Sequence, residues 1–239
     1  MSAPRRSRRG CVILLNLRML GVGLTDEAPS AIEKNLRPWL IAGACIVIGT
    51  GVFIGILNAS KLFYSPAFFA KMVAMLAALI FTFGVTASLA KNEGVISKGA
   101  KITAAIASVI WLYSMGVFSL TSGIAPGVFH MITAAFVILM LFGQNRTKLV
   151  TVAVIALLTI VDVIVTYGFI GVDNDTLKFL EVTKYFTVAG GLFITGAILF
   201  DIFKGVRADA ASPLARLIAL FSILAWVTVA AGGRWIGFS

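Results

Sequence analysis

The chain has 239 residues, of which 59% are hydrophobic and only 13% charged, and its mean hydropathy is +1.01. Soluble domains carry about 25% charged residues, so this composition excludes an ordinary soluble globular protein. The net charge of +10 comes from basic residues in loops between apolar stretches, a distribution that argues against nucleic-acid binding. The composition predicts an all-α polytopic membrane helical bundle, with the lipid bilayer as its surroundings.

The first segment, residues 1–37, is predicted to be a basic cytoplasmic stretch. Residues 2–24 resemble a signal peptide, because four arginines precede an apolar run that begins at Cys11. Asn16 and Arg18 interrupt that run, and no small-x-small cleavage site follows. We therefore predict neither a signal peptide nor a membrane span here.

About seven membrane-spanning helices follow, each predicted from a run of roughly 20 apolar residues. They cover residues 38–57, 66–90, 102–121, 125–143, 149–171, 184–203 and 214–237. Pro38, Pro66, Pro126 and Pro213 lie at or just before the start of a span, where a missing N–H has the least effect.

The distribution of lysine and arginine predicts how the spans are oriented. Fifteen basic residues lie in the segments on the N-terminal side of the membrane, against four on the opposite side. The positive-inside rule then places the N-terminus in the cytoplasm and the C-terminus outside, in a bacterial inner membrane.

Two lysines, Lys71 and Lys184, lie near the start of apolar helices and are followed by the same pattern of residues. In both cases two small residues and a leucine come six to eight positions later, and a threonine comes eleven positions later. Trp111 and Trp226 follow the two lysines at nearly equal distances. This spacing predicts two tandem parallel repeats. The first repeat is residues 38–121, and the second is residues 122–239, where the span 125–143 leads a three-helix unit. Residues 11–18 are predicted to be the stump of a matching leading helix in the first repeat.

Four ionisable residues lie within or near the ends of predicted spans, all in the outer half: Lys71, His130, Asp162 and Arg234. A charge inside a membrane is unfavourable, so each is a candidate for an outward-facing polar site. Asp162 is predicted to pair with Lys71 or Arg234 and hold the bundle together, to handle a proton or another cation, or to face a water-filled mouth of the bundle.

Simpler roles remain open for the other three residues. Lys71, like Lys184, has a side chain long enough to extend to the outer headgroups, or the two lysines form a pair of anion-binding positions. Arg234 beside Trp235 is typical of an interfacial anchor. His130, the only histidine, is either a hydrogen-bonded structural residue or a ligand.

Several chemistries do not fit the residues present. Haem held by two histidines of one chain needs a second histidine, and the span 214–237 contains no lysine for a retinal Schiff base. Cys11 and Cys45 are far apart and form no metal or redox motif. There is no nucleophile elbow, phosphate-binding loop or metalloprotease motif, so we predict no catalytic residues and no metal site.

Two stretches resemble an uncharacterised family of small bacterial inner-membrane proteins that is loosely similar to the copper-resistance D membrane proteins. The first contains Leu17-Arg-Met-Leu-Gly-Val-Gly, Arg37-Pro-Trp-Leu, Gly49-Thr-Gly and Ser65-Pro-Ala-Phe-Phe-Ala-Lys-Met; the second contains Trp226 and Gly233-Arg-Trp-Ile-Gly-Phe. The resemblance implies an extra leading helix with an early histidine. In this chain that helix is not expected, and the histidine is His130, in the leading helix of the second predicted repeat. It implies no settled activity.

The sequence therefore predicts a non-enzymatic transport or accessory protein with an outward-facing polar site. One alternative is a redox-associated membrane subunit that binds haem, quinone or copper at the same face. Another is a structural subunit of a membrane complex. Other membrane subunits, or a second copy of the chain, are the protein partners compatible with these roles, and the cofactor is left open.

Overall fold

The computed structural model of the protein describes residues 12–22, 24, 26–122, 126–170, 176–204 and 212–236. Every regular element in these ranges is helical, which confirms the predicted all-α fold class. The arginines between residues 5 and 9, and Cys11, lie outside the described residues.

The described helices follow one another along the chain as ten α-helical elements. They are α1 (Val12–Leu20), α2 (Pro29–Leu57), α3 (Ala59–Phe63), α4 (Pro66–Leu79), α5 (Ala87–Lys91), α6 (Lys98–Ser122), α7 (Pro126–Phe142), α8 (Asn145–Val163), α9 (Thr176–Lys204) and α10 (Pro213–Trp235). Two π-helical segments, Ile80–Thr86 and Ile164–Ile170, continue α4 and α8 without a break.

Proline marks the start of three of the predicted spans. Helices α4 and α10 begin at Pro66 and Pro213, and in each the preceding serine side chain accepts a hydrogen bond from a backbone N–H at 3.3 Å. These serines satisfy one of the N–H groups that a helix start leaves unpaired. Helix α7 begins at Pro126, as predicted.

The prediction that Pro38 starts a span is wrong, because α2 begins at Pro29 and continues through Pro38. The early turns of α2 bury Ile32 and Leu36, and α2 packs against α1 and α5. Packing therefore extends the helix beyond its apolar stretch, while Pro38 removes only one backbone N–H from it.

Six helical stretches of the described chain are long and apolar enough to cross a membrane. They are Pro29–Leu57, Pro66–Lys91, Lys98–Phe118, Asn145–Phe169, Glu181–Lys204 and Pro213–Arg234. The remaining predicted span, 125–143, corresponds to α7, which has 17 residues. At 1.5 Å per residue α7 covers about 25 Å, less than a hydrocarbon core of about 30 Å. Six of the predicted spans thus fall on helices long and apolar enough to cross a membrane, and the seventh falls on α7, whose 17 residues are at the short end of the range for a spanning helix.

Helix α10 is the centre of the bundle. It packs against α1, α4, α6, α7 and α9, and 67% of its most apolar stretch is buried. On α4, Ala70, Ala74 and Ala78 are buried at 1%, 0% and 0% exposure. Such small residues, one helical turn apart, allow α4 to approach α6 and α10 closely.

Helix α2 lies at the edge of the bundle, and none of its most apolar stretch is buried. Its glycines do not contact a neighbouring helix, since a Cβ added at Gly51 or Gly55 would meet no atom within 4 Å. The small-residue spacing that packs α4 into the core therefore leaves α2 with an apolar surface open to its surroundings.

Candidate functional site

Asp162 lies in the last turn of α8, two residues before the π-helical segment Ile164–Ile170 begins. Its side chain is half-buried, and its Oδ1 atom is inaccessible and has no hydrogen-bond partner among the described residues. The backbone carbonyl of Asp162 accepts a hydrogen bond of 2.6 Å from the Thr166 hydroxyl. Because π-helical turns occur often at functional sites, this local departure from α-helix agrees with a site at Asp162.

A cavity of about 160 Å³ lies beside Asp162, between α7, α8 and α9. Its lining consists of the Asp162 carboxylate, two threonines, Gly190 and apolar side chains. The lining residues are Phe129, Ile132, Ile155, Leu158, Thr159, Asp162, Phe186, Thr187, Gly190 and Ile194. Asp162 is the one ionisable member of this set.

The two threonines of the lining make hydrogen bonds within their own helices. The Thr159 hydroxyl donates to the Ile155 carbonyl, and the Thr187 hydroxyl donates to the Thr183 carbonyl, both at 2.9 Å. Their protons are therefore not directed at Asp162. The cavity thus combines an apolar wall with an acceptor that has no donor.

Glycine on α9 brings the three helices of the cavity together. A Cβ added at Gly191 would lie 2.8 Å from the Cδ1 of Ile132 on α7, and one at Gly190 would lie 3.4 Å from the Cδ1 of Ile155 on α8. These two glycines, which belong to the pattern behind the predicted second repeat, therefore allow α7 and α8 to pack closely on α9.

Lys71 packs beside the two glycines that precede Arg234 in α10, and neither Lys71 nor Arg234 lines this cavity. Lys71 is half-buried on α4 and packs over α10: a Cβ added at Gly232 would lie 3.0 Å from the Lys71 Cβ, and one at Gly233 would lie 3.5 Å from its Nζ. Arg234 is exposed in the last turn of α10, where a cation interacts favourably with the helix dipole. Asp162 makes no ion pair with either residue.

His130 is exposed on α7, next in sequence to the cavity residue Phe129, but does not itself line the cavity. Of the four predicted site residues, the structure therefore brings Lys71 and Arg234 to one end of the α4–α10 contact and leaves Asp162 in the α7–α9 cavity. Whether the four form one polar site stays a prediction. Within the ranges that the structure describes, no three His, Cys, Asp or Glu side chains are grouped as metal ligands would be.

Asp201 on α9 carries a buried carboxylate that was not among the site residues predicted from the sequence. It is 1% exposed; its Oδ2 accepts from the backbone N–H of Gln144 at 2.6 Å, and its Oδ1 accepts from the Thr147 hydroxyl at 2.7 Å. Asp201 thus caps the start of α8, where a negative charge is favoured. Its sequence signal, an acid within Leu-Phe-Asp-Ile, is as clear as the one around Asp162.

Arg216 on α10 was likewise not among the site residues predicted from the sequence. It is 3% exposed, donates from Nη1 to the backbone carbonyls of Asp201 and Ile202 at 3.4 and 3.3 Å, and lies 5.5 Å from the ring centroid of Phe142. Asp201 and Arg216 join α7, α8, α9 and α10 at one end of the bundle, and their contacts indicate a structural role.

The two tryptophans that mark the predicted repeats each make a hydrogen bond inside the bundle, buried for Trp111 and partly buried for Trp226. The Trp111 indole donates to the Thr228 hydroxyl at 2.9 Å, and the Trp226 indole donates to the Thr82 hydroxyl at 3.0 Å. Both bonds connect residues of the first predicted repeat with residues of the second. The tryptophans thus hold the two halves together, and the duplication itself stays a prediction.

Residues 7–124 match the model of a family of unknown function, DUF6644. No curated protein and no solved structure matches the chain. The match ends between α6 and α7, so the α7–α9 cavity lies outside it. The resemblance to copper-resistance D proteins stays a prediction, because the match bears on it in neither direction.

Proposed function

We propose that this chain is a non-enzymatic transport or accessory protein of the bacterial inner membrane and that the cavity beside Asp162 is its cation-binding site. The observation that carries this proposal is Asp162, which lines a cavity and whose Oδ1 atom is buried without a hydrogen-bond partner among the described residues. An intramembrane charge costs at least about 2.5 kcal/mol, so an unpartnered carboxylate is favourable only if something else binds it.

The predicted orientation supports an outward-facing site. The cavity residues come from the early part of α7, the late part of α8 and the early half of α9. These parts adjoin residues 123–125 and 171–175, which the excess of cytoplasmic lysine and arginine assigns to the outside. We therefore propose that a ligand enters the cavity from the outer half of the bilayer.

The composition of the lining supports binding rather than catalysis. A hydrolytic or transfer reaction requires a nucleophile, a base and a group that stabilises developing charge, held near one another. The cavity offers one carboxylate and two hydroxyls that are bonded to their own helices. Binding a cation requires only the negative charge and surroundings less polar than bulk water.

We propose that the apolar surface of α2 faces lipid, or another membrane subunit where the protein is part of a complex. Trp39, Phe53 and Ile56 on this helix are 70%, 66% and 73% exposed. A patch of this kind is unfavourable in water and compatible with a hydrocarbon environment. This supports an integral position of the chain in the bilayer.

The proposal is tested by charge movement in proteoliposomes adsorbed on a solid-supported membrane. The panel consists of a pH jump and additions of Na⁺, K⁺, Mg²⁺ and tetramethylammonium. We expect a saturable current for at least one member, its loss in Asp162→Asn, and its retention in Glu181→Gln, which removes an exposed carboxylate of α9. Absence of an Asp162-dependent current across the whole panel would contradict the proposal.

A further inference from the structure

We infer that the cation bound at Asp162 is a small organic ammonium ion, an inference that rests on the proposed cation-binding function. The cavity is open at one side, where Phe129 is exposed, and its volume of about 160 Å³ is similar to that of an enclosed engineered cavity of about 150 Å³ that holds benzene. It thus accommodates a ligand of about five or six non-hydrogen atoms. Tetramethylammonium has five.

The oxygen atoms of the lining do not suit a hard metal ion. Ca²⁺ takes about six to eight oxygen ligands and Mg²⁺ demands octahedral coordination. The lining side chains provide four oxygens at most: two from Asp162 and one each from Thr159 and Thr187. A divalent ion beside a single carboxylate would also keep an uncompensated charge in an apolar site.

A bare proton would satisfy the carboxylate, yet it does not account for the rest of the site. Protonation of Asp162 needs no enclosure of this volume and no aromatic wall. Phe129 on α7 and Phe186 on α9 both line the cavity. Aromatic rings attract ammonium groups through their negative faces, and quaternary ammonium ligands are commonly recognised in this way.

The surroundings of the cavity also favour a weakly hydrated cation. Apart from Asp162 and the two threonines, the lining consists of aromatic and aliphatic side chains and one glycine. Phe129 is 58% exposed at the edge of the site, so a ligand that enters passes an apolar rim. An alkylammonium ion loses little hydration there and gains both dispersion contacts and the carboxylate charge.

The test is calorimetric titration of the full chain in lipid nanodiscs with tetramethylammonium, and with tert-butanol as a neutral probe of similar size. We expect saturable binding of tetramethylammonium, at least about 30-fold weaker binding by Asp162→Asn, and unchanged binding by Glu181→Gln. Gly190→Leu keeps the carboxylate but fills the cavity, so it is expected to abolish binding as well. A melting temperature for each variant verifies that it is folded.

The outcomes separate this inference from the proposed function. Binding of tetramethylammonium to the wild type, with little binding of tert-butanol and loss in both Asp162→Asn and Gly190→Leu, supports the ammonium ligand. An Asp162-dependent current for protons or metal ions, without tetramethylammonium binding, overturns this inference and leaves the cation site in place. Equal binding to the wild type and Asp162→Asn overturns it too.

Discussion

Replacing Asp162 by asparagine is expected to stabilise the folded protein. The variant removes a charge whose Oδ1 is buried without a described partner, while the amide keeps nearly the same shape. A charged aspartate at a helix centre costs about 2.5 to 3.5 kcal/mol on insertion scales, and the half-burial of Asp162 leaves part of that cost to be recovered. We expect a gain of about 1 to 3 kcal/mol. For a chain of this size that corresponds to a rise of about 2 to 12 °C in melting temperature.

The matched control is Asp201→Asn, because Asp201 differs from Asp162 mainly in having partners. Its carboxylate accepts hydrogen bonds from the Gln144 N–H and the Thr147 hydroxyl, and an asparagine provides one oxygen for these two donors. A buried donor left unpaired costs about 1 to 3 kcal/mol, so this variant is expected to melt at a lower temperature. The two changes are alike in charge and volume, and their effects should have opposite signs.

Thermal unfolding in detergent, followed by tryptophan fluorescence, measures both variants under one set of conditions. A melting temperature that falls in Asp162→Asn by as much as in Asp201→Asn would refute the reasoning. It would mean that Asp162 has a partner that stabilises it, as the alternative interpretation of the sequence predicts. A rise in Asp162→Asn and a fall in Asp201→Asn would support a carboxylate retained for binding at the expense of stability.

Further predictions concern packing, hydrogen bonding, orientation and cofactors. Gly232→Leu should lower the free energy of unfolding by at least about 1 to 3 kcal/mol, because even a Cβ at this position would lie 3.0 Å from the Lys71 Cβ. Gly51→Leu is the control: a Cβ there would meet no atom within 4 Å, so the free energy of unfolding should change by less than about 0.5 kcal/mol. Denaturant titration compares the two variants. Trp226→Phe should cost about 1 to 2 kcal/mol in the same assay, since it removes the partly buried hydrogen bond to Thr82. Trp39→Phe, at a 70% exposed position, should not have this cost. In a chain whose two cysteines are replaced by serine, an impermeant maleimide added to intact cells should label Lys61→Cys but not Lys91→Cys, and the reverse pattern would invert the orientation. A Soret band or stoichiometric copper in the purified protein would contradict transport without a cofactor and favour the redox-associated alternative.

Most of the helices could be predicted from the sequence, because a run of apolar residues long enough to cross a membrane is a local property of the chain. Every predicted span falls on a described helix, and Pro66, Pro126 and Pro213 mark helix starts. The start of the first span was wrongly predicted at Pro38, because the helix begins at Pro29 and its first turns pack against α1 and α5. No local sequence pattern reveals that packing.

Only part of the candidate site could be predicted from the sequence. Asp162 was found because a lone carboxylate in an apolar run is conspicuous, but its predicted cationic partners were chosen by depth in the membrane. Depth gives no information about which side of the bundle a residue faces: Lys71 packs on α10, while Asp162 lies beside the α7–α9 cavity. Asp201 stands out in its apolar run as clearly as Asp162, but its role as a helix cap could not be predicted, since its partner Gln144 is 57 residues away in the chain.

The most direct test of a cation site at Asp162 is the current that proteoliposomes give on addition of tetramethylammonium. The wild type and Glu181→Gln should give a saturable current, and Asp162→Asn, folded and at equal protein density, should give none. If no cation of the panel gives a current that depends on Asp162, the cavity beside this residue is not a cation site.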